Sequence, residues 1–309
     1  MKAGARVALL GLFLLSGLAA AAQGPPLQSA RVAAIQVAWQ PSRIVNGSLL
    51  VFQVRSATEF KSLTGRWLGH DVLFYRSQSD RFWYGLGGVD VNTPAGTYTL
   101  HLEAVESNGT IVQLQRLIRV DPGNYPRTTL RVADQFVTPP PDALERIAAE
   151  KALKQRVFSQ ISLMPQWSDA FLVPVQAAIS NPFGASRVFN GKLQSIHRGT
   201  DYRAPQGTEI VAANSGHVVL AREMYFEGNF VVIDHGQGLF TAYLHLSRIQ
   251  VEEGQAVRRG QLLGLTGATG RVTGPHLHLS VIWNGVSVDP ANLFRVEIPP
   301  PLLATAAGK

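Results

Sequence analysis

Apolar and polar positions alternate with a period of two over much of the chain. Leu50, Phe52 and Val54 recur at every second position, and Tyr98, Leu100, Leu102 and Ala104 interleave with Thr99, His101 and Glu103. That period gives each face of a strand its own set of side chains. Asn46-Gly47, Pro94-Ala95-Gly96 and Asn108-Gly109 lie between such runs and are tight-turn signals. Evenly spaced strands with these turns predict an N-terminal immunoglobulin-like β-sandwich over residues 26–122. His101 falls on the polar face of its strand, and His70 has no evident partner. Trp67, Tyr75, Phe82, Trp83 and Tyr84 read as core and loop packing, with a glycan-binding surface as the alternative.

The pattern changes at Thr138, where Pro139, Pro140 and Pro141 stop any ladder or helix. Asp142 then predicts a cap, with Glu145 completing a capping box, for a helix running to about Ser159. Glu150 and Lys154 are spaced as a favourable pair along it. Its apolar stripe is weak, so residues 138–165 are predicted to be a Pro-rich, docked helical connector. Strand-like runs punctuated by glycine return over residues 175–295 and predict a second antiparallel β domain. Residues 298–309, with three prolines and then small side chains, read as a disordered tail. The fold class is therefore mainly β.

Residues 1–22 follow a different rule. Lys2 and Arg6, the apolar run Val7 to Leu18 and the small residues Ala19 to Ala22 form the three regions of a secretory signal peptide. The apolar run is short for a bilayer span, and no later run is long enough. The expectation is export to the periplasm or the extracellular cell wall, without stable membrane insertion after cleavage.

Composition narrows the chemistry. The 309 residues are 46% apolar, enough for real cores. The absence of cysteine removes disulfides, thiolate metal sites, cysteine nucleophiles and a cysteine-linked lipid anchor. The net charge of +7 falls to +5 once Lys2 and Arg6 leave with the signal. A basic mature chain suits an anionic wall. Export and the lack of a basic run argue against nucleic acid.

Five of the eight histidines fall into three compact signatures: H-R-G-T-D with His197 and Asp201, Y-L-H-L with His245, and G-P-H-L-H-L with His276 and His278. Read as a strand, the last puts His276 and His278 on one face and Leu277, Leu279 and Val281 on the other. The same alternation puts Tyr243 and His245 on one face, opposite Leu244 and Leu246. The His197–Asp201 stretch contains Gly199 and reads as a loop entering a strand. A catalytic zinc ion wants three protein ligands and an open position. Asp201 and two of these histidines would supply the three, leaving two histidines for proton transfer or oxyanion binding. The H-E-x-x-H helix of thermolysin-type enzymes is absent. His235 and His217 read as structural and as exposed on a strand, respectively.

From Asn181 to Val288 the sequence resembles the lysostaphin/LytM-type metallopeptidases of bacterial cell walls. The resemblance rests on F-N-G at Phe189–Gly191, H-R-G-T-D-Y-R-A-P-Q-G-T at His197–Thr208, V-V-I-D-H-G at Val231–Gly236, T-A-Y-L-H-L, V-R-R-G-Q-L-L-G-L-T-G and G-P-H-L-H-L. It implies a compact antiparallel β domain of the duplicated hybrid motif type, with one zinc ion per chain in an open groove. By motif, the metal ligands fall on His197, Asp201 and His278, and the catalytic histidines on His245 and His276. The implied activity is that of a zinc metalloendopeptidase, a hydrolase of the peptide cross-links of peptidoglycan, by attack of zinc-bound water on the peptide carbonyl. The alternative is a non-catalytic cell-wall-binding or amidase-activator module of the same fold; relatives of that kind usually lack one of the five positions. Glu209 departs from the family's usual G-T-P-V and reads as surface variation.

Overall fold

The computed structural model describes residues 35–78, 80, 82–130, 135, 138–189 and 192–302. The predicted signal peptide, Asn190–Gly191 and residues 303–309 lie outside them. Among the described residues the chain is mainly β, with twenty strands and two helices.

Seven strands form the N-terminal sheet: β1 (Ile35–Gln40), β2 (Leu49–Ser56), β3 (Phe60–Trp67), β4 (His70–Arg76), β5 (Trp83–Gly88), β6 (Gly96–Glu106) and β7 (Ile111–Val120). Their order is β1-β2-β5-β4-β3-β6-β7, antiparallel throughout. The predicted alternation holds in β6, where Leu100, Leu102 and Ala104 are buried while His101 and Glu103 are exposed. Gly109 turns β6 into β7 at φ +87, a region that glycine enters without a steric cost. Trp67, Tyr75 and Tyr84 are buried, as core packing requires.

The chain then adds β8 (Arg127–Leu130), which pairs in parallel with β10 (Ser186–Phe189). Helix α1 (Pro141–Ser159) follows, with the predicted end but not the predicted start. Its N-cap is Pro140, no side chain caps it, and Pro141 stands in the first turn. Proline suits that position because its φ is already helical and an N–H there would have no intrahelical acceptor. Asp142 thus contributes as an acid in the first turn, and no capping box forms. The expected Glu150–Lys154 pair is also replaced: Glu150 accepts from Arg146 at 2.7 Å, and Lys154 reaches Glu227 across to the next sheet.

The C-terminal sheet begins with β9 (Ile179–Asn181), and β10 pairs with β11 (Lys192–Ile196) as a hairpin beside it. There follow β12 (Thr200–Tyr202), β13 (Glu209–Val211), β14 (Gly216–Met224), β15 (Gly228–Asp234), β16 (Leu239–Ile249), β17 (Ala256–Val257), β18 (Leu262–Thr266), β19 (Leu277–Trp283), β20 (Val286–Val288) and helix α2 (Pro290–Leu293). The main path is β17-β14-β15-β16-β19-β12-β9. One face of this sheet packs Tyr202, Tyr243, Leu246, Leu277 and Leu279 into a core of its own. Elsewhere Phe230, Phe240 and Ile282 meet Leu153, Val157 and Phe158 of α1, with Phe158 edge-on to Phe240 at 5.5 Å.

A third cluster joins the two sheets. Phe52, Trp67 and Leu100 share one apolar cluster with Trp167, Leu239, Val281, Trp283 and Val288. Gly88 lies so close that a Cβ there would stand 2.9 Å from Trp283. Residues at the start of the expected tail belong to this junction. Ile298 is buried, Pro299 O accepts from Tyr75 Oη (2.8 Å) and Trp167 Nε1 (3.0 Å), and Leu302 N donates to Arg76 O. The prolines there are held by donors from both halves, so the chain is ordered to Leu302 and not loose from 298. No helix among the described residues is long and apolar enough to cross a membrane.

Candidate metal centre and catalytic groove

His197 begins the loop after β11, Asp201 lies on β12, and His278 lies on β19, paired across the ladder with Asp201. All three are buried. His197 Nε2 stands 3.0 Å from Asp201 Oδ1 and 3.1 Å from His278 Nδ1, and His278 Nδ1 is 2.8 Å from the same oxygen. Gly199 makes this approach possible, because a Cβ there would sit 2.4 Å from His278 Nε2. The ring orientations are set from behind. Pro182 O can only accept, so His197 Nδ1–H donates to it at 2.8 Å, leaving Nε2 as a lone pair. His278 Nε2 meets Ser280 Oγ at 2.9 Å.

Burial opposes the charge on Asp201, but the adjoining imidazoles of His197 and His278 outweigh it and hold the carboxyl well below its ordinary range. An acceptor-only nitrogen, a carboxylate oxygen and a second imidazole nitrogen thus converge on one point. Such a group of lone pairs requires a shared proton or cation.

His276 and His278 do share a face, with Leu277 and Leu279 in the core, as alternation predicts. His276 Nε2 points at Asp201 Oδ1 from 3.7 Å, and its Nδ1–H donates to Gly274 O at 2.8 Å. His245 joins the group by another route. Tyr243 is core, and Leu244 lines the groove beside His245, so the predicted pairing of Tyr243 with His245 on one face is wrong. The reason is a break in the pleat: His245 has φ +67, the ladder slips at this point, and its N–H donates to Glu227 O at 2.9 Å. Its Nδ1–H donates to Thr269 O at 2.8 Å, which leaves Nε2 as the free nitrogen. Its ring centroid is 5.0 Å from that of His276 and 5.9 Å from that of His278. Burial, followed by the neighbouring His278 and His276, pushes its pKa well below the ordinary value and keeps it neutral.

His197, His245 and His278 open on a groove of 590 Å³ whose apolar lining includes Leu244, Phe230 and Ile282. Lys154 and Phe158 of α1 contribute to its wall. Glu209 is exposed on β13 and does not line it. His217 is exposed, as expected. His235 is structural: its Nδ1–H donates to Ser215 O at 2.8 Å, its Nε2 meets Thr241 Oγ1 at 2.8 Å, and burial lowers its pKa to about 4. Sequence reasoning missed the partners that aim the rings. Ser280 was within reach, two positions beyond His278 on the same face. Pro182, Glu227, Thr269 and Gly274 act through backbone carbonyls, which leave no mark on residue type.

The sequence profile of peptidase family M23 matches residues 195–290, which contain all five side chains. A Pseudomonas aeruginosa crystal structure assigned to peptidase M23 is 30% identical, with a TM-score of 0.63, over 82% of this chain and 95% of that one. The chain belongs to peptidase family M23. Among curated relatives, peptidoglycan DD-endopeptidase ShyA of Vibrio cholerae serotype O1 is 50% identical over 146 residues, 47% of this chain and 31% of the relative. DD-carboxypeptidase/endopeptidase Mpg of Neisseria meningitidis serogroup B is 40% identical over 132 residues, 43% of this chain and 30% of the relative. This M23 chain thus matches less than a third of the length of either. Its donor set, two imidazole nitrogens and one carboxylate oxygen with their outer partners in place, fits the zinc ion of a metallopeptidase. Ligand atoms on tetrahedral bonds of about 2.0–2.1 Å lie roughly 3.3 Å apart, close to the spacing here.

Proposed function

We propose that this M23 chain is an exported zinc metalloendopeptidase that hydrolyses the peptide cross-links of peptidoglycan. The observation that carries the reading is the convergence of three lone-pair donors beside two histidines, each presenting Nε2. His197, Asp201 and His278 would hold one zinc ion. Bound there, zinc supplies Lewis acidity and makes water nucleophilic at neutral pH. His245 and His276 divide the remaining work. One Nε2 accepts the proton of the attacking water and returns it to the departing amine. The other, protonated, donates to the peptide oxygen as negative charge develops on it. Their Nδ1–H bonds to backbone carbonyls keep both rings from turning, so the proton moves at a fixed place.

ShyA is by its name a peptidoglycan DD-endopeptidase and Mpg a DD-carboxypeptidase/endopeptidase, and the pattern of residues 1–22 supports export. The N-terminal sheet is read as an immunoglobulin-like accessory module within residues 26–122, α1 as part of a connector over 138–165, and residues 175–295 as the peptidase domain. The test is purified mature protein with defined cross-linked muropeptide dimers, with and without a chelator. Monomers should appear only with zinc present. A zinc-loaded protein that leaves every dimer intact overturns the reading.

A further inference from the structure

Basic side chains outnumber acidic ones along the groove. Three cationic side chains line it, Lys154, Arg198 and Arg271, against the single lining carboxylate Glu227. Lys154 is matched by Glu227 itself. Arg271 lies over the ring of Phe226 at 4.6 Å. Arg198 is different. It directly follows His197, its side chain is 45% exposed, and its partner comes from outside the groove. That partner is Asp90, just beyond β5, which accepts from one terminal nitrogen, Nη1, at 2.9 Å. Asp90 is in turn fixed by Asn92, whose N and Nδ2 donate to its other oxygen at 2.8 and 2.9 Å. A guanidinium has five N–H donors in a rigid fork. Held by one edge, Arg198 keeps Nε and Nη2 for a second planar acceptor. The side chain is then already ordered when that acceptor arrives, which lowers the entropic cost of binding it.

We infer that Arg198 is a substrate-binding residue that takes a free carboxylate of the peptide in the groove, and that the N-terminal sheet positions it through Asp90. A carboxylate fits the fork by two parallel charge-assisted bonds, which a carboxamide cannot reproduce. The inference rests on the peptidase reading for its ligand class, a peptidoglycan stem peptide. Such peptides offer two sources of the same chemistry, the C-terminal carboxylate and an internal one. The enzyme should therefore distinguish stems whose carboxylates are free from stems in which they are amidated.

The test is calorimetric binding of uncross-linked stem peptides to the zinc-loaded full chain. Three peptides are compared: both carboxylates free, the internal one amidated, and the C-terminal one amidated. One amidation should weaken binding about ten- to hundredfold and so identify the source. Arg198→Gln should bind all three alike at the weak level, with zinc still at one per chain, and Arg198→Lys should keep part of the discrimination. Equal binding of the three peptides by the wild type, or no binding at all, overturns the inference, as does discrimination that survives Arg198→Gln. Hydrolysis of a cross-linked dimer is measured separately. Discrimination without hydrolysis would leave the carboxylate site standing and remove the peptidase reading instead.

Discussion

The N-terminal sheet buries Ser48, Ser77 and Glu106 as its polar side chains, whereas the C-terminal half buries His197, Thr200, Asp201, Asn214, Asp234, His235, Gln237, Thr241, His245, Thr266 and His278. Both halves are built from short antiparallel strands and glycine turns. The first follows the rule that apolar side chains go in and polar ones go out. The second breaks it repeatedly, and most of these breaks are matched by hydrogen bonds, because a buried polar group without a partner is costly; Gln237 Oε1 is an exception. Four of the eleven are the three proposed ligands and His245, and two more, His235 and Thr241, brace one another. The contrast teaches that one half is organised by burial alone and the other by burial constrained by chemistry.

The sharpest way to break this comparison is to remove a member of the triad. His197→Ala, Asp201→Ala and His278→Ala should each lose most bound zinc and all measurable turnover, read by elemental analysis beside circular dichroism. Full zinc occupancy in all three would refute the ligand assignment. The next largest effect separates the roles within the site. His245→Ala and His276→Ala should keep zinc and lose about 10²–10⁴ in rate, the usual range for a proton-transfer group. Wild-type turnover in zinc-replete variants would remove them from the chemistry.

A third substitution tests whether the halves are independent. Trp67 and Trp283 sit in the shared cluster. Either Trp→Ala change should cost about 3–5 kcal/mol. Because the cluster is continuous, each should shift one common denaturation transition, followed by fluorescence and by zinc release. Two separated transitions would mean that the sheets fold alone. The smallest effect concerns pH. His235 has a folded pKa of about 4 against 6.5 when unfolded, so its stabilisation is complete above pH 6.5 and is lost as pH falls toward 4. The loss amounts to roughly 3 kcal/mol, and the unfolded chain takes up the proton. His235→Gln should flatten that slope in urea titrations; an unchanged slope would assign it to other groups. Among the described residues, the first half has no fully buried histidine and offers no counterpart.

Much of this was legible in the sequence. Period-two alternation located β6 and put His276 beside His278, since both facts depend only on side chains a few positions apart. The ends of α1 were half legible: Ser159 was found, while three prolines started the helix without the Asp142 cap. His245 was misplaced by alternation because its backbone N–H is held by Glu227 O and its ring by Thr269 O, contacts between segments far apart in the sequence pattern. The shared cluster was invisible for a related reason. Nothing near Trp67 marks that it shares a cluster with Trp283, far along the chain.

The left-handed backbone at His245 has a consequence for engineering. A non-glycine residue at φ +67 carries a conformational cost of about 1 kcal/mol that glycine avoids. Glycine at position 245 would relieve that backbone cost, yet it would also empty a buried site, strip Thr269 O of its donor and remove the group proposed to carry the proton. Selection for a sturdier enzyme must hold this position fixed or score turnover in the same round.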